Sequence, residues 1–210
     1  MTTPTIDLVV TSGTFSLDGG TWNVDNNVWL IGDGDQVLVI DAAHDADAIV
    51  AAVAGRSVVA IACTHAHNDH IDVAVELADR LGAAIWLHPA DAELWQQSYP
   101  DRRWSADLAD RQQITVGTTT VEVIHTPGHA PGAVCFWVPE IGALFSGDTL
   151  FKGGPGATGR SFSDFPTIIN SIQGRLLSLD PTTRVYPGHG DQTSIGAESG
   201  QVESWIARGH

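Results

Sequence analysis

The sequence is sparing with several things. It has two cysteines, Cys63 and Cys135, each inside an apolar, strand-like run. They form no CxxC pair, so buried, reduced thiols are expected rather than metal-bound or catalytic ones. No stretch reaches the ~20 apolar residues of a membrane span. The opening MTTPTIDLVV has neither a basic start nor a long apolar run before a cleavage site, so it does not read as a signal peptide. The expected location is therefore cytoplasmic. Low-complexity segments, linkers and close repeats are lacking too. Basic residues are scarce, 10 against 25 acidic, for a formal net charge of −15. That charge repels phosphate backbones and anionic membranes, which argues against nucleic-acid and membrane partners.

What is present fits a globular protein. The chain has 210 residues, 43% of them hydrophobic, and reads as a single domain spanning 1–210 with a sizeable core. Its seven tryptophans supply large buried areas or pocket walls. The first clear signal is an apolar run from Asn27 to Ile31, a Gly-Asp turn, and a second run from Gln36 to Ile40: strand, turn, strand. A helix follows over 45–54, a strand over 58–62, and a helix through Ala74, Leu77, Ala78 and Leu81 that stops at Gly82. Further strands are expected at 83–87, 119–124, 133–138, 142–145 and 184–186. Helices are expected from Pro89 through Trp95 and over 164–179. Alternating strands and helices make this a layered α/β fold.

Nine histidines stand out: His44, His65, His67, His70, His88, His125, His129, His189 and His210. Four donors crowd into Thr64-His65-Ala66-His67-Asn68-Asp69-His70, on the loop between a strand and a helix. On extended backbone His65 and His67 point the same way. Asp69 and His70 follow where the chain turns and can serve a second ion. A lone histidine is usually a surface or hydrogen-bonded residue, but four donors at this spacing point to metal.

The string THAHNDH resembles the THxHxDH signature of the metallo-β-lactamase superfamily. Three further landmarks come in that family's order: Thr126-Pro127-Gly128-His129, Gly147-Asp148-Thr149-Leu150-Phe151 and Tyr186-Pro187-Gly188-His189-Gly190. The resemblance runs from about Asn27 to Gly190. It implies an αββα four-layer sandwich with the site at one edge of two facing sheets. It also implies two divalent metal ions, zinc first, with iron or manganese accepted by the same donors. His65, His67 and His129 would bind the first metal. Asp69, His70 and His189 would bind the second, with Asp148 bridging both. Asp41 resembles the acidic residue that closes an early strand in that family, and either holds a ligand imidazole or caps a loop. His125 is expected to be structural or to support a metal ligand from behind, and His44, His88 and His210 to lie on the surface.

Within the superfamily, Asp148 at the bridging position disfavours antibiotic hydrolysis. His67 stands where the flavodiiron oxygen reductases carry Glu. The acidic charge disfavours RNA processing. Only 20 residues follow Gly190, too few for the helical domain of the full-length glyoxalase II enzymes. The chain therefore looks like the short bacterial glyoxalase II-like group, especially its actinobacterial members. That resemblance implies hydrolysis of thioesters of small thiols, glutathione or mycothiol, by attack of a metal-bridging hydroxide. Asp69 and Asp148 would be the catalytic carboxylates, Asp69 orienting the hydroxide. The alternatives are a lactonase, a mononuclear iron persulfide dioxygenase and a non-catalytic metal binder.

Two stretches remain. Residues 154–161, GPGATGRS, nearly spell a phosphate loop, but Arg160 replaces the required Lys and no strand leads directly in. A glycine-rich connector on an active-site loop is expected instead, with Arg160 a candidate for a substrate carboxylate. Trp95 and Trp104 flank a polar stretch, 96–103, with the makings of a lid, while Trp86 suits core packing.

Overall fold

The fold was obtained as a computed structural model that describes residues 4–209. It opens with a hairpin of two 13-residue strands, β1 (Thr5–Leu17) and β2 (Gly20–Gly32), paired antiparallel along their length. Asp18 and Gly19 both adopt positive φ, 52° and 76°, the backbone that a tight two-residue hairpin turn demands. The sequence pattern shows only the end of β2, because the hairpin's outer half is largely solvent-facing and carries few apolar residues.

The first half continues with β3 (Gln36–Ile40), α1 (Ala46–Val53), β4 (Ser57–Ala62), α2 (Asn68–Ile71) and α3 (Ala74–Leu81). Next come β5 (Ile85–Leu87), a 3-10 turn over Pro89–Asp91, α4 (Ala92–Ser98) and β6 (Ala106–Asp107). The second half holds β7 (Gln113–Val116), β8 (Thr119–His125), β9 (Val134–Val138), β10 (Ala143–Gly147), β11 (Leu150–Phe151) and β12 (Gly154–Pro155). Then follow α5 (Phe165–Ser171), β13 (Arg184–Pro187), β14 (Thr193–Ser194), α6 (Ile195–Glu198) and α7 (Val202–Arg208). Caps set the helix ends. Asp45 accepts from Ala48 N–H at 2.9 Å to start α1, and Gly82 takes the left-handed conformation that stops α3. The single helix expected over 164–179 is instead α5 followed by a π-helical turn over Ile172–Leu176.

Strands β1 to β6 form one sheet in chain order, and a second sheet runs β14-β13-β10-β9-β8-β7. Strand periodicity sorts their side chains into three apolar layers. In β2, Val28 and Leu30 face the helices α1, α3 and α4, while Trp29 and Ile31 face the other sheet. In β3, Val37 and Val39 face the helices, and Leu38 and Ile40 the sheet. In β10, Ala143 and Phe145 enter the gap between sheets, and Leu144 meets Ile168, Ile172 and Trp205 from the second helical layer. Helix, sheet, sheet, helix is the αββα sandwich the sequence leads one to expect. Both cysteines are buried and unpaired. Among the described residues no helix is long and apolar enough to cross a membrane. The 154–161 segment leaves β12 as a loop, with the next helix starting only at Phe165, so it lacks the context of a phosphate loop.

Candidate metal centre

The donors sit where four strands end. β4 leads to His65 and His67, and α2 carries Asp69 and His70. The loops after β8, β10 and β13 deliver His129, Asp148 and His189. Two motif glycines make the approach possible. A Cβ on Gly147 (φ +47°) would lie 2.6 Å from the Thr64 side chain, and one on Gly188 would lie 2.5 Å from Asp148 Oδ1. Asp41 fills both roles open to it. It accepts from Thr64 N–H at 2.7 Å and Thr64 Oγ1–H at 2.9 Å, which shapes the loop. Its Oδ2 also holds His70 Nδ1 at 2.9 Å.

The structure brings the seven expected donors into overlapping groups. His65, His67 and His129 form one, Asp69, His70 and His189 another, and His65, His70 and Asp148 a third. Hydrogen bonding assigns the ring tautomers. His70, His129 and His189 donate Nδ1–H to Asp41, to the Ala157 carbonyl at 2.8 Å and to the Asp25 carbonyl at 2.7 Å. Thr64 spends its only hydroxyl hydrogen on Asp41, so His65 Nδ1–H donates to Thr64 Oγ1 at 3.1 Å. Each of these four rings therefore turns Nε2 inward. His65 Nε2 and His129 Nε2 both lie 3.0 Å from His67 Nδ1. His70 Nε2 lies 3.2 Å from His189 Nε2.

Such nitrogens need a positive species between them, a proton or a cation. The carboxylates point the same way: Asp69 Oδ1 and Asp148 Oδ1 are buried and accept no hydrogen bond. Asp148 Oδ2 lies 3.5 Å from His129 Nε2 and 3.4 Å from His189 Nε2, so one carboxylate touches both three-residue groups. The donors fit divalent cations held by imidazole and carboxylate.

The electrostatics differ between the groups. Burial, with neighbouring His70, His67 and His129, holds His65 well below the usual imidazole range. Burial likewise brings His67 down to about 3. His70 and His189 behave oppositely. Burial opposes their protonation, but Asp148 and Asp69 outweigh it, lifting His70 well above its usual range and His189 to about 10. Burial would raise Asp69, yet His70 and His189 draw it down to about 2. The second group thus attracts positive charge strongly.

Several supporting residues escape sequence reasoning. His44, expected at the surface, has a side chain only 4% exposed. Its Nδ1 meets Asp72 Oδ2 at 2.7 Å and its Nε2 meets Asn26 Oδ1 at 3.0 Å. Asn26 Nδ2–H donates in turn to Asp69 Oδ2 at 3.1 Å, so a chain of hydrogen bonds reaches a candidate ligand. Asp91 accepts from the Ala66 and Gly132 N–H groups, joining the loops of His67 and His129, and burial pushes its pKa up to about 6. His88 is also no free surface residue: its ring stacks on His125 at 4.1 Å, and burial takes it down to about 4. His125 Nε2 binds the Pro131 carbonyl at 3.0 Å, a structural contact. His210 lies outside the described residues.

The centre opens into a cleft of about 280 Å³. The hairpin supplies Phe15, Trp22 and Val24 to its wall, the loops supply Phe151, Ala157 and Arg160, and His67, Asp69, His129, Asp148 and His189 complete it. The lid expected at 96–103 is elsewhere. Trp95 and Trp104 are 1% and 7% exposed and border a separate cavity that shares no lining residue with the cleft. Tyr99 Oη–H donates to the Ile71 and Asp72 carbonyls, and Arg102 pairs with Asp79, pinning that stretch down. Trp86 packs partly buried in the layer between the sheets.

Residues 22–189 match the family model of the metallo-beta-lactamase superfamily, and the chain belongs to that superfamily. Among its relatives, "Probable metallo-hydrolase YqgX" of Bacillus subtilis is 33% identical over 84% of this chain and 90% of its own length. "Hydroxyacylglutathione hydrolase GloC" of Haemophilus influenzae is 33% identical over 64% of this chain and 70% of its own. The solved structure of TTHA1623 in a di-iron-bound form is 32% identical with a TM-score of 0.76, covering 84% of this chain and 93% of that one.

Proposed function

We propose that the chain is a metallo-hydrolase that cleaves thioesters of small thiols, using two divalent cations. The observation that carries this reading is the pair of donor groups joined by Asp148. His65, His67 and His129 would hold one cation and Asp69, His70 and His189 the other, with Asp148 shared. When bound, two such cations supply hydroxide from water near neutral pH and positive charge for a carbonyl oxygen. Zinc suits the mixed His/Asp set, and iron and manganese accept it too.

The chain's own residues account for the rest. Asp69, whose Oδ1 is buried and without a hydrogen bond, would orient the attacking water as well as hold a cation. Phe15, Trp22, Val24 and Phe151 line the approach and keep bulk water away from the reacting bond. Apart from the candidate metal donors, the described lining residues offer no carboxylic acid, Lys, Tyr or Cys to protonate a leaving group. A thiol of pKa ~8.5 departs as thiolate without such help, whereas an amine does not. The kinship with a hydroxyacylglutathione hydrolase supports a thioester substrate.

A substrate panel tests the reading: S-lactoylglutathione, a simple lactone, a cephalosporin, and glutathione persulfide with oxygen uptake recorded. The thioester should exceed the lactone and cephalosporin in kcat/KM by on the order of 10²-fold. Oxygen uptake with the persulfide, or a preference for the lactone, would overturn it.

A further inference from the structure

His44 lies outside the donor set, yet its surroundings are built around it. Its backbone is left-handed (φ 59°), a conformation that residues with a side chain adopt rarely. That turn brings its N–H and its ring onto one carboxylate. The N–H donates to Asp72 Oδ1 at 2.7 Å, and Nδ1 meets Asp72 Oδ2 at 2.7 Å. β1 passes directly over the ring at Gly13, where a Cβ would collide with it.

The ring is one link in a row that runs Asp72, His44, Asn26, Asp69. Both ends of the row are carboxylates, which only accept hydrogen bonds. Asp69 Oδ2 faces the Asn26 amide at 3.1 Å, so Asn26 gives it an N–H and turns Oδ1 to His44. His44 Nε2–H therefore donates to that oxygen at 3.0 Å, while Nδ1–H donates to Asp72. Both ring nitrogens carry protons. The positive ring thus serves two carboxylates, one inside α2 and one at its C-terminal end.

A ring with one proton would break the row. A bare Nδ1 would face the Asp72 carboxylate. A bare Nε2 would face the Asn26 oxygen, and turning the amide over would set that oxygen against Asp69 instead. Water offers little substitute, since the His44 side chain is 4% exposed and Asn26 1%. The row also belongs to the support of the second donor group, because the Asp25 carbonyl beside Asn26 accepts from His189 Nδ1–H.

We propose that His44 is a positioning residue for the second cation. Doubly protonated and anchored by Asp72, it locks the Asn26 amide so that Asp69 takes an N–H on Oδ2 and keeps Oδ1, which has no partner, for the centre. This rests on reading Asp69 as a cation ligand and is independent of the substrate.

The first readout needs no turnover. In zinc-loaded wild type with labelled histidine, NMR should show two ring N–H signals from His44, both slow to exchange and both absent in His44→Phe. A single ring proton on His44 overturns the proposal. Zinc titrated against a competing chelator then reads affinity. His44→Phe keeps the ring's shape but donates nothing, and should weaken one of the two zinc constants about tenfold while leaving the other nearly unchanged. His44→Gln, which keeps a donor, should recover part of the loss. In an Asn26→Ala background His44→Phe should add almost nothing, because it acts through the amide. The same loss in both backgrounds, or unchanged zinc affinity in a folded His44→Phe, also overturns the proposal. Wild type that binds a single zinc, with that affinity lowered by His44→Phe only while Asn26 is present, would keep the positioning role and sink the two-cation reading.

Discussion

Asp148→Ala is expected to lower thioester turnover by on the order of 10³-fold, a loss typical of removing a group that stabilises transition-state charge. The reason is positional. Asp148 Oδ2 faces His129 at 3.5 Å and His189 at 3.4 Å, whereas the histidines that Asp69 faces, His70 and His189, belong to one group. Losing Asp148 removes the largest share of the attraction that draws positive charge to His70 and His189, leaving Asp69 and, for His70, Asp41. Metal content should fall together with activity. The measurement is kcat/KM with bound metal per chain, with circular dichroism checking that the variant folds. A folded variant with full metal and near-normal turnover would remove Asp148 from its shared role.

Asp41→Asn should be the most damaging change among residues that touch neither cation nor substrate. Asp41 and His70 are 2% and 1% exposed in their side chains, so solvent does not screen the pair. The carboxylate accepts from Thr64 N–H, Thr64 Oγ1–H and His70 Nδ1–H. An amide cannot serve all three, because its NH₂ faces a donor. Breaking a buried pair of this kind costs about 3–5 kcal/mol. For a domain of this size that lowers Tm by roughly 10 °C. Metal affinity should drop about 10–100-fold, as when the partner of a ligand imidazole is lost. Thermal melts and metal titrations read the two effects separately. Weakened metal binding with an unchanged Tm would mean that Asp41 orients His70 without holding the loop.

Much of the site can be seen in the chain because its donors are close together or follow fixed turns. His65, His67, Asp69 and His70 lie within six residues, and the remaining donors each adjoin a glycine that a tight turn or close approach requires. The sandwich is equally legible, since buried strands such as β3 and β10 alternate between two apolar layers. What escapes has no local pattern. The β1–β2 hairpin is half solvent-facing, so its strands lack an apolar stripe, yet it provides Phe15 and Trp22 to the cleft. His44 looks isolated in sequence because its partners Asn26 and Asp72 are 18 and 28 residues away. Asp91 meets Gly132 across 41 residues. Trp95 and Trp104 show the converse. Their aromatic character suits a pocket wall, but the cavity they border lies in the helical layer and shares no lining residue with the cleft.

The stoichiometry of activation tests the central claim most directly. Metal is stripped with a chelator, and thioester turnover is followed as zinc, iron or manganese is returned in measured equivalents. Two donor groups sharing Asp148 predict that activity rises until about two equivalents per chain are bound, then levels off. Full thioester turnover at one equivalent, unchanged by a second, would contradict the two-cation account.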